Sequence, residues 1–570
     1  MQGAALGHDS PRRMTDPLSG FFEHYFCRRP VNATFTGMHA YDACLPDWSP
    51  GGIAALDDEM RQLLAELDAR YPAPDTDTAY CDDTDLLDAE LARGFCSIQL
   101  SENASGHGMR GNPSLWSGEA VFSVIALMIR EYAPLDDRLR AAIVRMNAIP
   151  FFFARARDTL GDRPLPAAWV TKALRDCEGA DILFTVGVER WMGSGPHDRA
   201  NEAMASAAAS NAAAAFRAFA EWLRSRPVAP EESLACGATH YDLLLRCGHQ
   251  CVRSRSDLLA EAQQCLEAGC IALEAMATDV AGSWPAVQQR LADEHPSPAE
   301  YVGAFEREWR ECRRTIMDAD IVTWPDWPIS YREFPSFTRD AAPFLYYLFY
   351  RSPAPLDPYD EYVYVVPPLP AGDPVPHLRA WNRSVIRLNH VLHHGGVGHH
   401  VQNWHAYHRA TSRVARISAV DCASRIGMFC GGTMAEGWAC YATGLMGELD
   451  ALTPLERVAE QHANVRQLAR AVVDLSFHAG SMSFDDAVAL FVRRAGMDPN
   501  AARAEMVKCS MFPGTAVMYW LGTQGILDLR EHMRARRGDD FSLKRFHDEL
   551  LGHGSIPVPL IARMMAGHAP

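Results

Sequence analysis

Residues 200–226 read ANEAMASAAASNAAAAFRAFAEWLRSR, and this alanine-rich stretch decides the fold class. Alanine has the highest helix propensity of all residues, so the run favours a helix. Phe216, Phe219 and Trp222 follow at three-residue steps, which places all three rings on one face. The stretch therefore predicts a long helix that buries its aromatic face.

The segment that follows repeats this pattern. Residues 254–281 read SRSDLLAEAQQCLEAGCIALEAMATDVA, with apolar residues at steps of three and four. Ser256 stands where a hydroxyl would cap the first turn. Because most of the chain reads in this way, the sequence predicts a mainly α protein.

Prolines interrupt the helical pattern within residues 334–376. Inside that segment, residues 361–367 read EYVYVVP, which alternates and is rich in β-branched side chains. We expect a small β element there, directly before a histidine-rich helix. The boundaries predicted are a flexible N-terminus over residues 1–16 and one helical body over 17–570, with the metal-site half at about 340–570.

Composition limits the classes of function. The chain has 570 residues, of which 48% are hydrophobic and 22% charged, and a formal net charge of −17. Such an acidic chain does not suit a nucleic-acid groove, which needs a basic surface. No apolar run reaches the roughly 18 to 20 residues that span a bilayer. The start lacks a secretory pattern and the 15 cysteines are scattered, so we expect a cytoplasmic protein without a membrane partner.

Residues 388–408, LNHVLHHGGVGHHVQNWHAYH, contain seven of the chain's 22 histidines. His390 and His394 are four residues apart, the spacing that projects two imidazoles from one helix face. His393 and His399 would lie about 9 Å apart along a regular helix, too far to share one ion. Three glycines at 395, 396 and 398 weaken a regular helix, so a bulge would make this second pair feasible. Both pairs stay open.

Glu436 is the next candidate ligand, in CGGTMAEGWACYATGLMGELD. Thr433 and Glu436 also fit a capping box, in which Glu436 would only satisfy backbone donors at a helix start. The two interpretations carry about equal weight.

The patterns HHGGVGHHVQ and TMAEGWACYATGLMGEL resemble the motifs His-Glu-Ala-x-Pro-Gly-His-His-x-Gln and Glu-Gly-Trp-Ala of the bacterial DUF885 family. PVNATFTGMHAYD, MFPGTAVMYWLGTQGILDLR and FHDELLGHGSIPVPLI resemble further segments of that family, so the resemblance covers most of the chain. The family is grouped with gluzincin-type metallopeptidases of largely helical fold. The resemblance implies metal ligands at His393, His399 and Glu436. It also implies a divalent metal, zinc in the first place, with iron(II) as the alternative.

The chain departs from the family pattern at five positions. His394 replaces the glutamate that serves zinc peptidases as general base, and Val397 replaces a proline. Lys508 and Cys509 replace an Arg-Tyr pair, and Thr515 replaces a glutamine. Imidazole can act as a base near neutral pH, so His394 is the candidate proton shuttle. Because Lys508, Cys509 and Thr515 also depart from the family motifs, we expect altered substrate contacts as well.

Four further residues fit a catalytic cleft. Tyr519 matches a tyrosine of the family and would donate its phenol to a developing oxyanion, or pack as a core residue. Arg530 would clamp a substrate carboxylate, or serve as an ordinary helix-end arginine. Asp474 and His478, four residues apart, would orient a ligand or simply bond within their helix.

The remaining histidines of the stretch have weaker claims. His405 and His408 lie beside aromatic residues and are expected to be structural or to support the ligands. His400 is assigned to the layer behind the ligands, although either His394 or His400 would approach the metal.

Three hypotheses follow. The first is a metal-dependent hydrolase of an amide or peptide, acting on a small molecule or short peptide. The second keeps the ligands but performs non-hydrolytic chemistry, namely oxygenation, decarboxylation, elimination or isomerisation. The third is a non-catalytic relative that keeps only the fold.

Overall fold

The computed structural model describes residues 16–74, 79–345, 350–351, 353–357, 362–419 and 427–566. Helices dominate these residues, so the prediction of a mainly α fold is confirmed. The flexible N-terminus predicted for residues 1–16 lies outside the described residues except for Asp16.

The α-helices are, in chain order, α1 (Pro17–Arg28), α2 (Pro30–Thr36), α3 (Pro50–Arg70), α4 (Ala79–Asp82), α5 (Thr84–Ser105), α6 (Pro113–Met128), α7 (Leu135–Leu160), α8 (Ala167–Ile182), α9 (Val188–Met192), α10 (Arg199–Arg224), α11 (Ala238–Leu243), α12 (Arg255–Ala281), α13 (Trp284–Asp293), α14 (Tyr301–Ala319), α15 (Ser336–Arg339), α16 (Val375–Ala380), α17 (Arg383–Val385), α18 (His399–Arg409), α19 (Arg413–Ile417), α20 (Gly432–Glu448), α21 (Pro454–Phe477), α22 (Phe484–Ala495), α23 (Pro499–Met511), α24 (Met518–Arg537), α25 (Leu543–Gly552) and α26 (Val558–Ala566). Wider, π-type turns form Leu183–Gly187, Leu244–Gly248, Ile386–Gly395 and Gly427–Gly431. Short 3-10 helices form His39–Tyr41, Glu231–Leu234, Pro298–Glu300 and Gly538–Asp540. Within the described part of the chain, no helix is both long and apolar enough to cross a membrane.

The strands are short. β1 (Leu165–Pro166) pairs in parallel with β2 (Val228–Ala229). In the second sheet, β5 (Tyr362–Val366) lies between the parallel β3 (Ile329–Glu333) and the antiparallel β4 (Tyr350–Arg351). The predicted β element before the histidine-rich segment is thus confirmed at β5, with Glu361 outside the described residues.

Helix α10 shows why the alanine-rich stretch folds as it does. Asp198 caps its start by accepting a hydrogen bond from the backbone N–H of Ala200. Phe216 and Phe219 are fully buried, as predicted, and Phe219 stacks on Phe153 with ring centroids 4.3 Å apart. This aromatic face attaches α10 to α7.

Helix α12 begins earlier than the sequence suggested. Ser254 caps it by accepting a hydrogen bond from the backbone N–H of Asp257, so the prediction of Ser256 as the cap is wrong. Ser254 has extended backbone angles, which direct its hydroxyl towards the free N–H groups of the first turn. Ser256 instead lies inside that turn, where its hydroxyl meets that of Ser254 at 2.9 Å.

The hydrophobic core of the described residues consists of three large clusters and two small ones. The first contains α1, α3, α5, α14 and the histidine-rich segment, the second α6, α7, α8 and α10, and the third α12, α21, α22 and α23. A cavity of about 760 Å³ lies where they meet, since Met428 of the first cluster, Ile125 of the second and Met511 of the third all line it.

Helices α20 and α24 cross closely at two glycines. A Cβ atom on Gly437 would lie 2.5 Å from the backbone of Gly522, and one on Gly522 would overlap the carbonyl oxygen of Thr433. Only glycine permits this approach. The crossing sets α20, which carries Glu436, beside α24, which carries Tyr519.

Candidate metal centre

The histidine-rich segment is a distorted helix rather than a regular one. Ile386–Gly395 has wide helical turns and ends at the glycines, and a new helix, α18, begins at His399. A Cβ atom on Gly398 would overlap the carbonyl oxygen of His393, so this reversal requires glycine. The distortion that the sequence allowed is therefore present, and it brings the ring centroids of His393 and His399 to 4.9 Å.

Two tryptophans hold the broken segment in place. The indole N–H of Trp309, on α14, donates to the carbonyl of Gly395, and that of Trp438 donates to the carbonyl of Val397, both at 2.9 Å. Trp438 follows Glu436 by two residues on α20. One hydrogen bond thus fixes the helix that carries Glu436 against the loop between His393 and His399.

Three imidazoles and one carboxylate meet at this point. His393, His394 and His399 each offer a ring nitrogen, and these atoms all lie within 4.8 Å of one another. One oxygen of Glu436 lies 3.2 Å from Nε2 of His393 and 3.6 Å from Nε2 of His399. Among the described residues, these histidines are the only such group of three or more possible metal donors.

Glu436 faces the imidazoles instead of capping its helix. Gly431 occupies the cap position of α20, and the hydroxyl of Thr433 accepts a hydrogen bond from the backbone N–H of Val558. The capping-box interpretation is therefore wrong. Burial alone would raise the pKa of Glu436, but hydrogen bonds from His393 and His399 hold that pKa well below its usual range. The carboxylate is ionised.

His394 has a fixed tautomer. Its Nδ1 donates to the backbone carbonyl of Asn389 at 2.6 Å, which leaves the lone pair of Nε2 available. Burial, and then the neighbouring rings of His393 and His399, hold the pKa of His394 well below its ordinary value. His394 is consequently neutral, as a metal-binding imidazole must be.

His390 and His400 do not belong to the group of His393, His394 and His399. His390 stacks on Trp381 with ring centroids 4.1 Å apart, and its Nδ1 meets the hydroxyl of Tyr364. His400 packs edge-on against Tyr362 at 4.4 Å. Burial lowers the pKa of each ring to about 3. The rings of His390 and His394, the pair that periodicity alone favoured, lie 6.4 Å apart, but His390 does not belong to the group formed by His393, His394 and His399.

His405 and His408 make structural contacts. Nε2 of His405 bonds to the carbonyl of Thr323 at 3.0 Å, and Nδ1 of His408 bonds to the carbonyl of Trp404 at 2.9 Å. Neither ring belongs to the cluster of His393, His394 and His399.

Asp474 and His478 organise the segment that leads into α24. Asp474 accepts hydrogen bonds from the backbone N–H groups of Gly514, Ala516 and Val517 at 2.9 to 3.2 Å. Nε2 of His478 lies 3.6 Å from Asp474 and bonds to the carbonyl of Cys509. Both side chains therefore position the cavity wall, and neither contacts a candidate ligand.

Tyr519 lines the 760 Å³ cavity, whereas Arg530 does not. The guanidinium of Arg530 donates to Glu448 at 3.0 Å and to the hydroxyl of Tyr441 at 3.1 Å. An arginine with these two partners is already engaged, so we do not include it in the proposed site.

The candidate ligands do not line the cavity, but Arg470 connects the two. Its guanidinium lines the cavity, stacks over the ring of Tyr519 at 5.3 Å, and pairs with both oxygens of Glu505 at 2.7 and 2.9 Å. Its charge also helps to lower the pKa of His393, after the larger effects of burial and of the charge of His399. Arg470 and Glu505 were not predicted from the sequence. The position of Arg470, one turn before Asp474, was the only local signal for it, and Glu505 had none.

Similarity to known proteins is consistent with this fold. A comparison with curated proteins found no match. A proposed lipoprotein of unknown function from Shewanella oneidensis has a solved structure with a TM-score of 0.74 and 20% identity, covering 96% of this chain and 98% of its own. A proposed lipoprotein from Colwellia psychrerythraea gives a TM-score of 0.73 and 17% identity, covering 97% and 98%. At these identities the likeness concerns the fold.

The family comparison covers nearly the whole chain. The model of the bacterial proteins of unknown function named DUF885 matches residues 30–565. That range includes the wide helical turns at Ile386–Gly395, the glycine break and α20 with Glu436. The chain therefore belongs to the DUF885 family.

Proposed function

We propose that the protein is a metal-dependent enzyme that acts on a small organic substrate held in the adjoining cavity. The observation that carries the proposal is the cluster of His393, His394 and His399, with the carboxylate of Glu436 against two of these rings. Imidazole nitrogen and carboxylate oxygen are donors that suit zinc and iron(II). When bound, such an ion supplies a Lewis acid that polarises a carbonyl group and makes water more acidic.

The first reaction to test is hydrolysis of an amide or peptide bond. His394 is neutral, and its Nε2 is free to accept a proton, because Nδ1 is committed to Asn389. Tyr519 presents a hydroxyl at the cavity wall, where it would stabilise negative charge on a substrate oxygen, and Arg470 stacks over its ring. These groups support a hydrolase with an imidazole in place of a carboxylate base.

The fixed tautomer of His394 also favours a second candidate. Because a ring nitrogen of His394 lies within 4.8 Å of those of His393 and His399, His394 would serve equally well as a third nitrogen ligand. The centre would then have three imidazoles, one carboxylate and no separate base. That donor set suits non-hydrolytic chemistry at iron or a related transition metal.

Metal content tests the proposal directly. We expect about one zinc or iron per chain in purified protein, and loss of that metal in His393→Ala and Glu436→Ala variants whose circular dichroism is unchanged. His408→Ala is the matched control, since this exposed ring lies at the opposite end of α18 from His399 and should leave the metal content unchanged. A folded parent protein that binds no divalent metal would refute the proposal.

His394→Ala separates the two candidates. If His394 is the proton shuttle, the variant keeps its metal and loses hydrolysis of aminoacyl p-nitroanilides or p-nitrophenyl esters. If His394 is a ligand, chelator competition should show a large loss of metal affinity in the variant. Substitution of a residue that only supports the ligands typically costs roughly 10- to 100-fold, and the loss should exceed that range. In that case we expect no hydrolysis by the parent protein either.

A further inference from the structure

The cavity has a charge character opposite to that of the chain as a whole. Seven basic and four acidic side chains line it, in a protein of net charge −17: Arg29, Arg130, Lys172, Arg175, Arg470, Arg503 and Lys508, with Glu102, Glu119, Asp176 and Glu505. Local charge of this kind governs which ligands a cleft accepts. An anionic group on the ligand is therefore favoured.

Several of these charges already have partners. Lys172 pairs with Asp176, and Arg470 pairs with both oxygens of Glu505. Arg503 pairs at 3.0 Å with Glu231, which does not line the cavity. These ion pairs stabilise the wall, and they leave little uncompensated positive charge for a ligand.

Arg29 differs because it has no carboxylate partner among the described residues. Its guanidinium donates to the amide oxygen of Gln99 and lies over the rings of Phe95 at 5.2 Å and Tyr25 at 5.9 Å. Gln99 in turn donates to Glu102 at 2.9 Å, so compensation of the charge is indirect. A half-buried guanidinium in such a position is a receptor for a carboxylate.

Glu119 is the complementary case. It lies on α6 at the cavity wall, and the structure gives it neither a hydrogen bond nor an ion pair of 4.0 Å or shorter within the described residues. Burial raises the pKa of Glu119 to about 7, and the charges of Arg29 and Arg145 offset part of that rise. A half-buried carboxylate without a partner carries a desolvation cost that a ligand cation would offset.

Part of the cavity wall is apolar. Phe35, Phe122 and Ile129 are half-buried and line the same cavity. The geometry points to a recognition site for an amino-acid head group, with its carboxylate on Arg29, its ammonium on Glu119 and an apolar side chain against this wall. The substrate class is thus an apolar amino acid or short peptide derivative.

This inference deepens the proposed function, and it rests on that function only in taking the cavity ligand to be the substrate of the metal centre. A volume of about 760 Å³ lies within the usual range of small-molecule sites and exceeds the needs of one amino acid. The remaining space would hold the part of the substrate that extends past Arg470 towards His393.

Calorimetry on the purified protein with four probes tests the site. L-phenylalanine carries both charges, 3-phenylpropionate lacks the amine, phenethylamine lacks the carboxylate, and N-acetylphenylalanine neutralises the amine. We expect L-phenylalanine to bind at least about tenfold more tightly than each of the others. Equal binding of all four probes, or no binding of L-phenylalanine, would overturn the inference.

Two variants assign the groups. Glu119→Gln should remove the preference for L-phenylalanine over 3-phenylpropionate, and Arg29→Gln should remove the preference over phenethylamine. Arg175→Gln is the matched control, because Arg175 lines the same cavity but is exposed and donates to the carbonyl of Pro343. Glu119→Gln is nearly isosteric, so it remains informative if Arg29→Gln does not fold.

His393→Ala distinguishes this site from binding at the metal. An amino acid could chelate a metal ion, and His393→Ala would then abolish the binding of L-phenylalanine, which would refute the Arg29 and Glu119 site. Retained binding in His393→Ala, together with loss of discrimination in Glu119→Gln, would support it. The measurement of metal content tests the proposed function separately.

Discussion

His39 is held between two carboxylates and shows how one residue can make stability depend on pH. Its Nδ1 lies 2.9 Å from Asp42 and its Nε2 lies 3.0 Å from Asp357. Burial alone would lower the pKa of His39, but the hydrogen bonds to Asp357 and Asp42 raise it to about 9. The protonated ring therefore stabilises the folded state. That stabilisation is complete below about pH 6.5 and is lost as the pH rises through about 9.

We predict that His39→Gln destabilises the protein more at pH 6 than at pH 10. Solvent reaches His39 and its two carboxylate partners, so the pH-dependent part of the loss in the free energy of unfolding should amount to about 1–2 kcal/mol. Urea unfolding of the variant and the parent at several pH values measures it. The variant also loses the stacking of His39 on Tyr132 at every pH, and this loss sets the part of the difference that does not depend on pH. A difference that does not change with pH would contradict the assignment.

Individual residues of the site were predictable to different degrees. His393, His399 and Glu436 were named from a motif, and the structure brings them together. Arg29 and Glu119 lie more than 270 residues before the histidines and carry no local pattern, so their presence in the cavity depends on tertiary packing alone.

Among the elements, the crossing of α20 and α24 is the most sensitive to substitution. We predict that Gly437→Ala destabilises the protein by about 2–3 kcal/mol, because the new methyl group would meet backbone, which cannot move aside as a side chain can. Gly444→Ala on the same helix is the control. Its Cβ atom would meet only Glu460, at 3.7 Å, so we expect no loss and up to about 1 kcal/mol of gain.

Thermal or chemical unfolding measures this pair of variants. If Gly437→Ala and Gly444→Ala behaved alike, the close crossing would not be a determinant of stability. Metal content should fall in Gly437→Ala if it folds, since α20 carries Glu436.

Element types were predictable where periodicity was strong, as in α10 and β5. Element ends were less so, because Ser254 and Ser256 are both good caps and only the backbone angles select one. The wide turns of Ile386–Gly395 were suggested only by three glycines. Their number and direction depend on contacts with Trp309 and Trp438, which are remote in sequence.

At the scale of the whole molecule, the buried histidines set the response to acid. Among the described residues, burial lowers the pKa of nine histidines outside the cluster of His393, His394 and His399 to about 3 or 4: His24, His107, His240, His249, His390, His400, His405, His478 and His547. These rings are neutral when folded and take up protons when unfolded. The free energy of unfolding should therefore fall as the pH drops from about 6.5 towards 4.

We predict acid unfolding that is coupled to the uptake of several protons between pH 6.5 and 4. Glu119 and Asp474, whose pKa values burial raises to about 7, act in the opposite sense and offset part of the effect. Denaturation by urea across this pH range gives the number of protons from the slope. A slope of one proton or fewer would contradict the prediction.

The three core clusters explain why the cavity could not be predicted from sequence. Each cluster can be anticipated from helix periodicity, but the space between them depends on how the helices meet. Lys508, Cys509 and Thr515, for which the sequence predicts altered substrate contacts, all line that space. The altered contacts stay a prediction, and only the packing shows where these positions lie.

The hydrogen bond from His394 to Asn389 has a consequence for sequence variation. The acceptor is a main-chain carbonyl, so every residue type at position 389 supplies it equally. The direction of the ring is therefore encoded by the number of residues between 389 and 394, and side-chain identity at 389 is irrelevant to it. Point mutations there should be silent for the imidazole, whereas an insertion or deletion of one residue would turn Nε2 away from its neighbours.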